Sequence, residues 1–175
     1  MNGTRTRLAM MALSATIIAF VAGNAWAQHG GHGPGHSHQQ IDAWNKEFEA
    51  VVREGRGFGM AFAADQNGYP GPMHALELKG DLQLTPEQEA KLRALMAAMF
   101  TEARPKGASL LEREARLRQL FASRTADAAT VQAAVAEVEA ARREVRLVHL
   151  LTHLKTREIL TEAQIATYTA IRWGR

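Results

Sequence analysis

The chain contains no cysteine. Disulfide staples, zinc–thiolate centres, thiol nucleophiles and an N-terminal lipid-bearing cysteine are all excluded. Aromatic residues make up only 6% of the 175 residues, while Ala, Leu, Glu and Arg are abundant, a bias toward helix over sheet. No Gly-rich phosphate loop, nucleophile elbow or paired-carboxylate pattern is present. The stretch "GRGFG" at Gly55–Gly59 has neither a preceding strand nor the Lys-Ser/Thr of a P-loop. The chain therefore reads as a non-enzyme. Neither sign of charge dominates, with 21 Lys and Arg against 18 Asp and Glu. Two of those arginines precede the first apolar run, so the basic balance gives little reason to expect a nucleic-acid partner.

That first apolar run is the only long one. Arg5 and Arg7 precede "LAMMALSATIIAFVAG", and Ala25 and Ala27 occupy the −3 and −1 positions of a cleavage site. This is the layout of a secretory signal peptide over residues 1–27. At about sixteen residues the run is shorter than the roughly 20 that a membrane-spanning helix needs. An uncleaved anchor is the other reading. Export predicts a periplasmic protein in a Gram-negative cell. Residues 28–40, "QHGGHGPGHSHQQ", have no apolar side chain and predict a disordered leader. Its four imidazoles, His29, His32, His36 and His38, make either a weak metal-binding tract, opposed by ordering entropy, or a solvated linker.

Residues 41–175 carry the folded domain, and its class is all-α. Ile41, Trp44, Phe48 and Val51 recur at helical spacing, and "NGYPGP" at Asn67–Pro72 is a turn. A brief helix follows around Met73–Lys79. Two near-identical phrases then mark helix starts: "LTPEQ" at Leu84–Gln88 and "LTEAQ" at Leu160–Gln164. Thr85 and Thr161 are N-caps, and Gln88 and Gln164 sit three residues on, where each can reach back to the cap backbone. Pro86 suits the first helical position. Each preceding Leu can staple the first turn. Leu92, Leu95, Met96, Met99 and Phe100 form one stripe, which Pro105 and Gly107 are expected to interrupt and kink. It resumes at Leu110, Leu117, Leu120 and Phe121. After a turn capped by Thr125 or Asp127, a long helix runs from about Ala128 to Ile159. Val131, Val135, Val138, Arg142, Val145, His149 and Thr152 step along it. A last helix carries Ile165, Tyr168 and Ile171. The expected architecture is a long antiparallel helical hairpin with short flanking helices. One hairpin is too thin to bury both apolar faces, which predicts a homodimer; a closed monomeric four-helix bundle is the alternative. The arginines of "EREARLRQ" and "ARREVR" alternate with Glu, as a solvated ion-paired face does, or as a basic concave surface for clients would.

His149 and His153 lie four apart on the long helix, so both imidazoles share one face and can reach one metal ion. The same spacing also describes two helix histidines satisfied by hydrogen bonds. The zincin motif is absent, since Leu150 follows His149. His74, Met96 and Met99 are further candidate ligands, and Asp65 an outlying one. Imidazole with thioether suits copper(I), nickel or cobalt better than magnesium or calcium; the methionines equally suit an apolar core. Binding through imidazoles is expected to weaken as pH falls toward about 6.5.

The signal peptide, the His-rich leader, the two "LTxxQ" boxes around a hairpin and the run "GRGFGMAFAADQNGYPGPMHALEL" resemble the Spy/CpxP-type periplasmic proteins, in particular their heavy-metal sensor branch. "LVHLLTH" at Leu147–His153 resembles the metal-binding stretch of nickel- and cobalt-sensing members. The resemblance implies a helical hairpin, often dimeric, with one of two activities. One is binding of a transition metal (Ni, Co, Cu or Zn) with signalling to a membrane-bound sensor or anti-sigma partner. The other is ATP-independent chaperoning of unfolded clients. Where metal-sensing members place a Glu on the first long helix, this chain has Met96.

Overall fold

The computed structural model describes residues 38–174. The expected signal peptide and the leader positions His29, His32 and His36 lie outside the described residues. Within them there are six helices and no strand: α1 (His38–Arg53), α2 (Phe62–Asp65), α3 (Pro72–Glu77), α4 (Pro86–Ala122), α5 (Ala128–Ile159) and α6 (Glu162–Trp173). The fold is all-α, and α4 and α5 form the long antiparallel hairpin. At about 1.5 Å per residue, α4 extends roughly 55 Å. Helix α1 begins at His38, three residues ahead of the expected start at Ile41, with His38 exposed.

Both repeated phrases form capping boxes. The Thr85 hydroxyl accepts from the Gln88 backbone at 3.1 Å, and the Gln88 side-chain oxygen accepts from the Thr85 backbone at 3.1 Å. Thr161 and Gln164 repeat this at 3.3 and 2.9 Å. The two boxes are also joined to each other. Gln88 Nε2 donates to Gln164 Oε1 at 2.9 Å, and Gln164 Nε2 donates to Gln88 Oε1 at 3.0 Å. The second amide hydrogen of Gln88 goes to the Ile159 carbonyl at 2.9 Å, and that of Gln164 to the Leu82 carbonyl at 3.1 Å. Each side chain thus fills all four of its hydrogen-bonding positions. The phrase occurs twice because its copies recognise one another.

Three apolar clusters stack along the hairpin. At the base, Ala75, Leu82, Leu92, Leu160, Ile165 and Tyr168 pack with Leu84 and Ile159, so both stapling leucines are used. Midway, Met99, Ala103 and Val148 pack with Phe100. Farther out, Phe48 and Val52 of α1 close on Leu110, Val138, Ala141 and Val145. Full burial of a Val or Leu side chain contributes about 1.5–3 kcal/mol, so these contacts rather than helix propensity hold the hairpin shut. Ala141, not Arg142, takes the core position in α5. Arg142 is only half-buried and pairs with Glu114 across the hairpin at 2.6 Å.

The expected break at Pro105 and Gly107 does not occur: α4 is continuous from Pro86 to Ala122. Pro105 removes the amide that would bond the Thr101 carbonyl, but both residues are on the exposed face, where water replaces it. Gly107 is a crossing point. A Cβ there would lie 2.5 Å from the Val52 carbonyl oxygen, so the end of α1 can cross α4 closely only at a glycine. Asp127 is the cap of α5, its carboxylate accepting from the Thr130 backbone at 2.8 Å. Toward the hairpin tip the burial runs out, and Phe121 is 59% exposed.

Replacing Gln88 or Gln164 by Ala strands the partner amide and is expected to cost about 1–3 kcal/mol in urea unfolding. The double variant should cost less than the sum, because the second substitution removes a group already left unpaired. Strict additivity would show that the two boxes act independently.

Candidate metal centre

Helix α5 presents His149 and His153 one turn apart, and both are nearly out of solvent, at 4% and 8% exposure. The chain between α1 and α3 lies directly over them. A Cβ at Gly57 would sit 3.0 Å from His149 Cγ, and a Cβ at Gly71 would sit 3.0 Å from His153 Nε2. Two glycines therefore let backbone press against two imidazoles. Beside them is a cavity of about 440 Å³. His149 and His153 of α5, Met99 of α4, His74 and Met73 of α3, and Asp65 of α2 all line it.

The ring orientations follow from their partners. His153 Nδ1 lies 2.6 Å from the Tyr69 carbonyl oxygen. A carbonyl only accepts, so Nδ1 carries the proton and Nε2 keeps its lone pair. His74 Nδ1 lies 2.9 Å from the Glu77 carboxylate, which imposes the same assignment. His149 Nε2 is buried with no hydrogen-bond partner among the described residues. An unsatisfied buried nitrogen costs about 1–3 kcal/mol, and such a group in a native fold calls for a physical reason.

Asp65 is not a free ligand. One carboxylate oxygen accepts from the Tyr168 hydroxyl, and the other from Arg172 Nε at 3.0 Å. Burial, then the bond to Asp65, pushes the Tyr168 phenol well above its usual range. The triad ties α6 to α2, and the Arg157 bond to the Gly68 carbonyl at 2.8 Å ties the following turn to α5. Met96 is half-buried on α4 and does not line the cavity, whereas Met99 does. Met73, Gly57, Gly71 and the Tyr69 carbonyl were not singled out as functional from the sequence. The cue available was "NGYPGP", whose turn delivers both Tyr69 and Gly71. Among the described residues, no three His, Asp or Glu side chains converge closely enough to hold an ion together.

Burial, reinforced by the neighbouring His153, lowers the His149 pKa to about 4. Burial also lowers that of His153, against the opposing pull of the Tyr69 carbonyl and Asp65. The expected proton competition near pH 6.5 moves to lower pH: burial favours the neutral form of both rings and pushes the His149 pKa down to about 4.

These features define a class: a helical hairpin whose base carries a cavity walled by imidazole and thioether. The chain belongs to the heavy-metal resistance family, whose model matches residues 56–166. It is a family of non-enzymatic resistance and sensor proteins, typically periplasmic. No curated protein and no solved structure matches the chain. Among the described residues no helix is long and apolar enough to cross a membrane.

The lowered pKa values set a stability window for the metal-free protein. Below pH 6.5 the unfolded chain binds protons that folded His149 refuses, so stability is full above 6.5 and falls as pH drops toward 4. The loss attributable to His149 is up to about 3 kcal/mol. Urea unfolding from pH 7.5 to 4.5 should show this slope, and His149→Leu should flatten it.

Proposed function

We propose that this protein binds a transition-metal ion in the cavity at the base of its hairpin and serves heavy-metal resistance or sensing in the periplasm. One observation carries this reading: His149, which lines that cavity, has its Nε2 buried without a hydrogen-bond partner among the described residues. Neighbouring His153 has its proton held on Nδ1, which leaves Nε2 unprotonated, with Gly71 packed beside it. A bound ion would satisfy the orphaned nitrogen and supply charge and directional coordination. His149 and His153 would hold it, with Met99 and His74 at the same cavity. The chain's own residues do the positioning: the Tyr69 carbonyl fixes the His153 ring, and Gly57 and Gly71 leave room for both imidazoles. Because that backbone is tied to α6 through Asp65 and Arg172, an ion at the imidazoles would bias the packing of the C-terminal helix. A membrane-bound sensor or anti-sigma protein is the partner this mechanism calls for.

Calorimetric titration of the purified protein with Ni, Co, Cu and Zn salts tests the reading. The background is a variant with His29, His32, His36 and His38 changed to Ser, which removes the leader tract. One site per chain is expected, with affinity falling at least a hundredfold in His149→Ala/His153→Ala. Unchanged affinity in the double variant would remove the cavity from consideration.

A second reading, an ATP-independent chaperone, is favoured by a different observation. Leu147, Leu151 and Leu154 of α5 are 42%, 51% and 46% exposed, forming an apolar stripe with Arg143, Arg146 and Lys155 nearby. A second copy of the chain is the simplest cover for that stripe, and we place the homodimer there. The chaperone reading needs it open to clients. Leu151→Glu separates the two: halved mass by light scattering indicates the dimer, while weaker suppression of client aggregation at unchanged mass indicates the chaperone.

A further inference from the structure

We infer that the cavity is built for a soft monovalent d¹⁰ ion, copper(I) or silver(I), in preference to nickel(II), cobalt(II) or zinc(II). This rests on the metal-binding reading above and narrows it to one class of ion. The first ground is the scarcity of negative charge at the cavity wall. Asp65 is the one carboxylate lining the cavity, and both its oxygens are taken, by Tyr168 and by Arg172. Arg56, also at the wall, is paired with Glu54 at 2.8 Å. Asp65 and Arg56 are thus each matched by an opposite charge, and a further carboxylate, Glu77, is bonded to His74 Nδ1 at 2.9 Å and does not itself line the cavity. The cost of burying an ion rises with the square of its charge, so a divalent ion faces roughly four times the penalty of a monovalent one without an anionic ligand to offset it.

The second ground is donor number. No three His, Asp or Glu side chains among the described residues come together, so the octahedral and four-coordinate sets that nickel, cobalt and zinc prefer are not assembled from them. Two imidazoles one turn apart, with Met99 lining the same cavity, match the low coordination numbers of copper(I) and silver(I). The third ground is donor softness. Met99 and Met73 both line the cavity beside the imidazoles, and Met99 is only 8% exposed. Thioether sulfur favours soft ions and adds little for hard or borderline ones. Phe58, Phe62 and Phe100 add apolar surface to the cavity walls.

Silver(I) is the practical probe, since it stays monovalent in air. The protein with leader histidines changed to Ser is titrated with silver nitrate in chloride-free buffer, and separately with nickel, cobalt and zinc salts. Silver is expected to bind at least a hundredfold more tightly at the site that His149→Ala/His153→Ala abolishes. Met99→Leu, which keeps size and apolarity, should weaken silver at least tenfold and leave any divalent binding unchanged. Gly71 has φ −80° and ψ 150°, which alanine adopts freely, so Gly71→Ala sets a methyl against His153 Nε2 with no backbone strain. It should lower silver affinity while the helical circular dichroism stays the same. Methyl resonances of Met99 or Met73 should shift on saturation with silver. Divalent ions binding as tightly as silver at the histidine-dependent site would overturn this inference and leave the metal-binding reading standing. Silver affinity unmoved by Met99→Leu, with no methionine methyl shift, would also overturn it. No histidine-dependent binding of any ion would take down both.

Discussion

The structure depends on two side-chain amides closing on each other. Gln88 and Gln164 each cap their own helix and then exchange hydrogen bonds, so the starts of α4 and α6 are fixed relative to one another. Their remaining hydrogens hold the Ile159 and Leu82 carbonyls, which end α5 and the turn before α4. With α6 placed, Tyr168 and Arg172 reach Asp65, and Arg157 at the end of α5 reaches the Gly68 carbonyl. That fixes the turn in which the Tyr69 carbonyl meets His153 and Gly71 lies against its ring. A capping contact at the helix base thereby decides the tautomer of an imidazole elsewhere in the fold.

At the imidazoles the local rules of stability give way. A well-satisfied helix interior would not leave a nitrogen unpaired, nor face two adjacent rings toward a cavity when Leu or Val could fill it. The surroundings bear that cost: the apolar cluster of Met99, Ala103 and Val148 adjoins the pair, and the base cluster packs below. Burial disfavours the charged form of both rings and so holds them neutral.

Much of this was legible in the sequence, because helix starts, stripes and turns are written locally. The two capping boxes, the span of α5 and the i, i+4 histidines follow from spacing. The membership of Asp65 in a triad with residues of α6 does not, since it joins positions 103 and 107 apart in the chain. Pro105 reads as a break in any local scheme, yet tertiary packing on the opposite face carries α4 through it. Met96 and Met99 are equivalent by periodicity to within a turn; only the rotation of α4 against α5 brings Met99 to the cavity and leaves Met96 off it. Gly71 reads as part of a turn and Gly107 as a kink, whereas Gly57, Gly71 and Gly107 mark close approaches that no one-dimensional pattern contains.

The joined boxes also decide which end of the hairpin is anchored. The joined capping boxes and the Asp65 triad sit at the base, ion pairs such as Arg142–Glu114 brace the arms farther out, and the tip around Ser123–Asp127 is closed by a capped turn and carries an exposed Phe121. The two arms can therefore be lengthened or shortened together by whole helical turns at the tip while the residues around the histidines keep their partners. The base holds the histidines in place, and the tip sets how far the two arms reach.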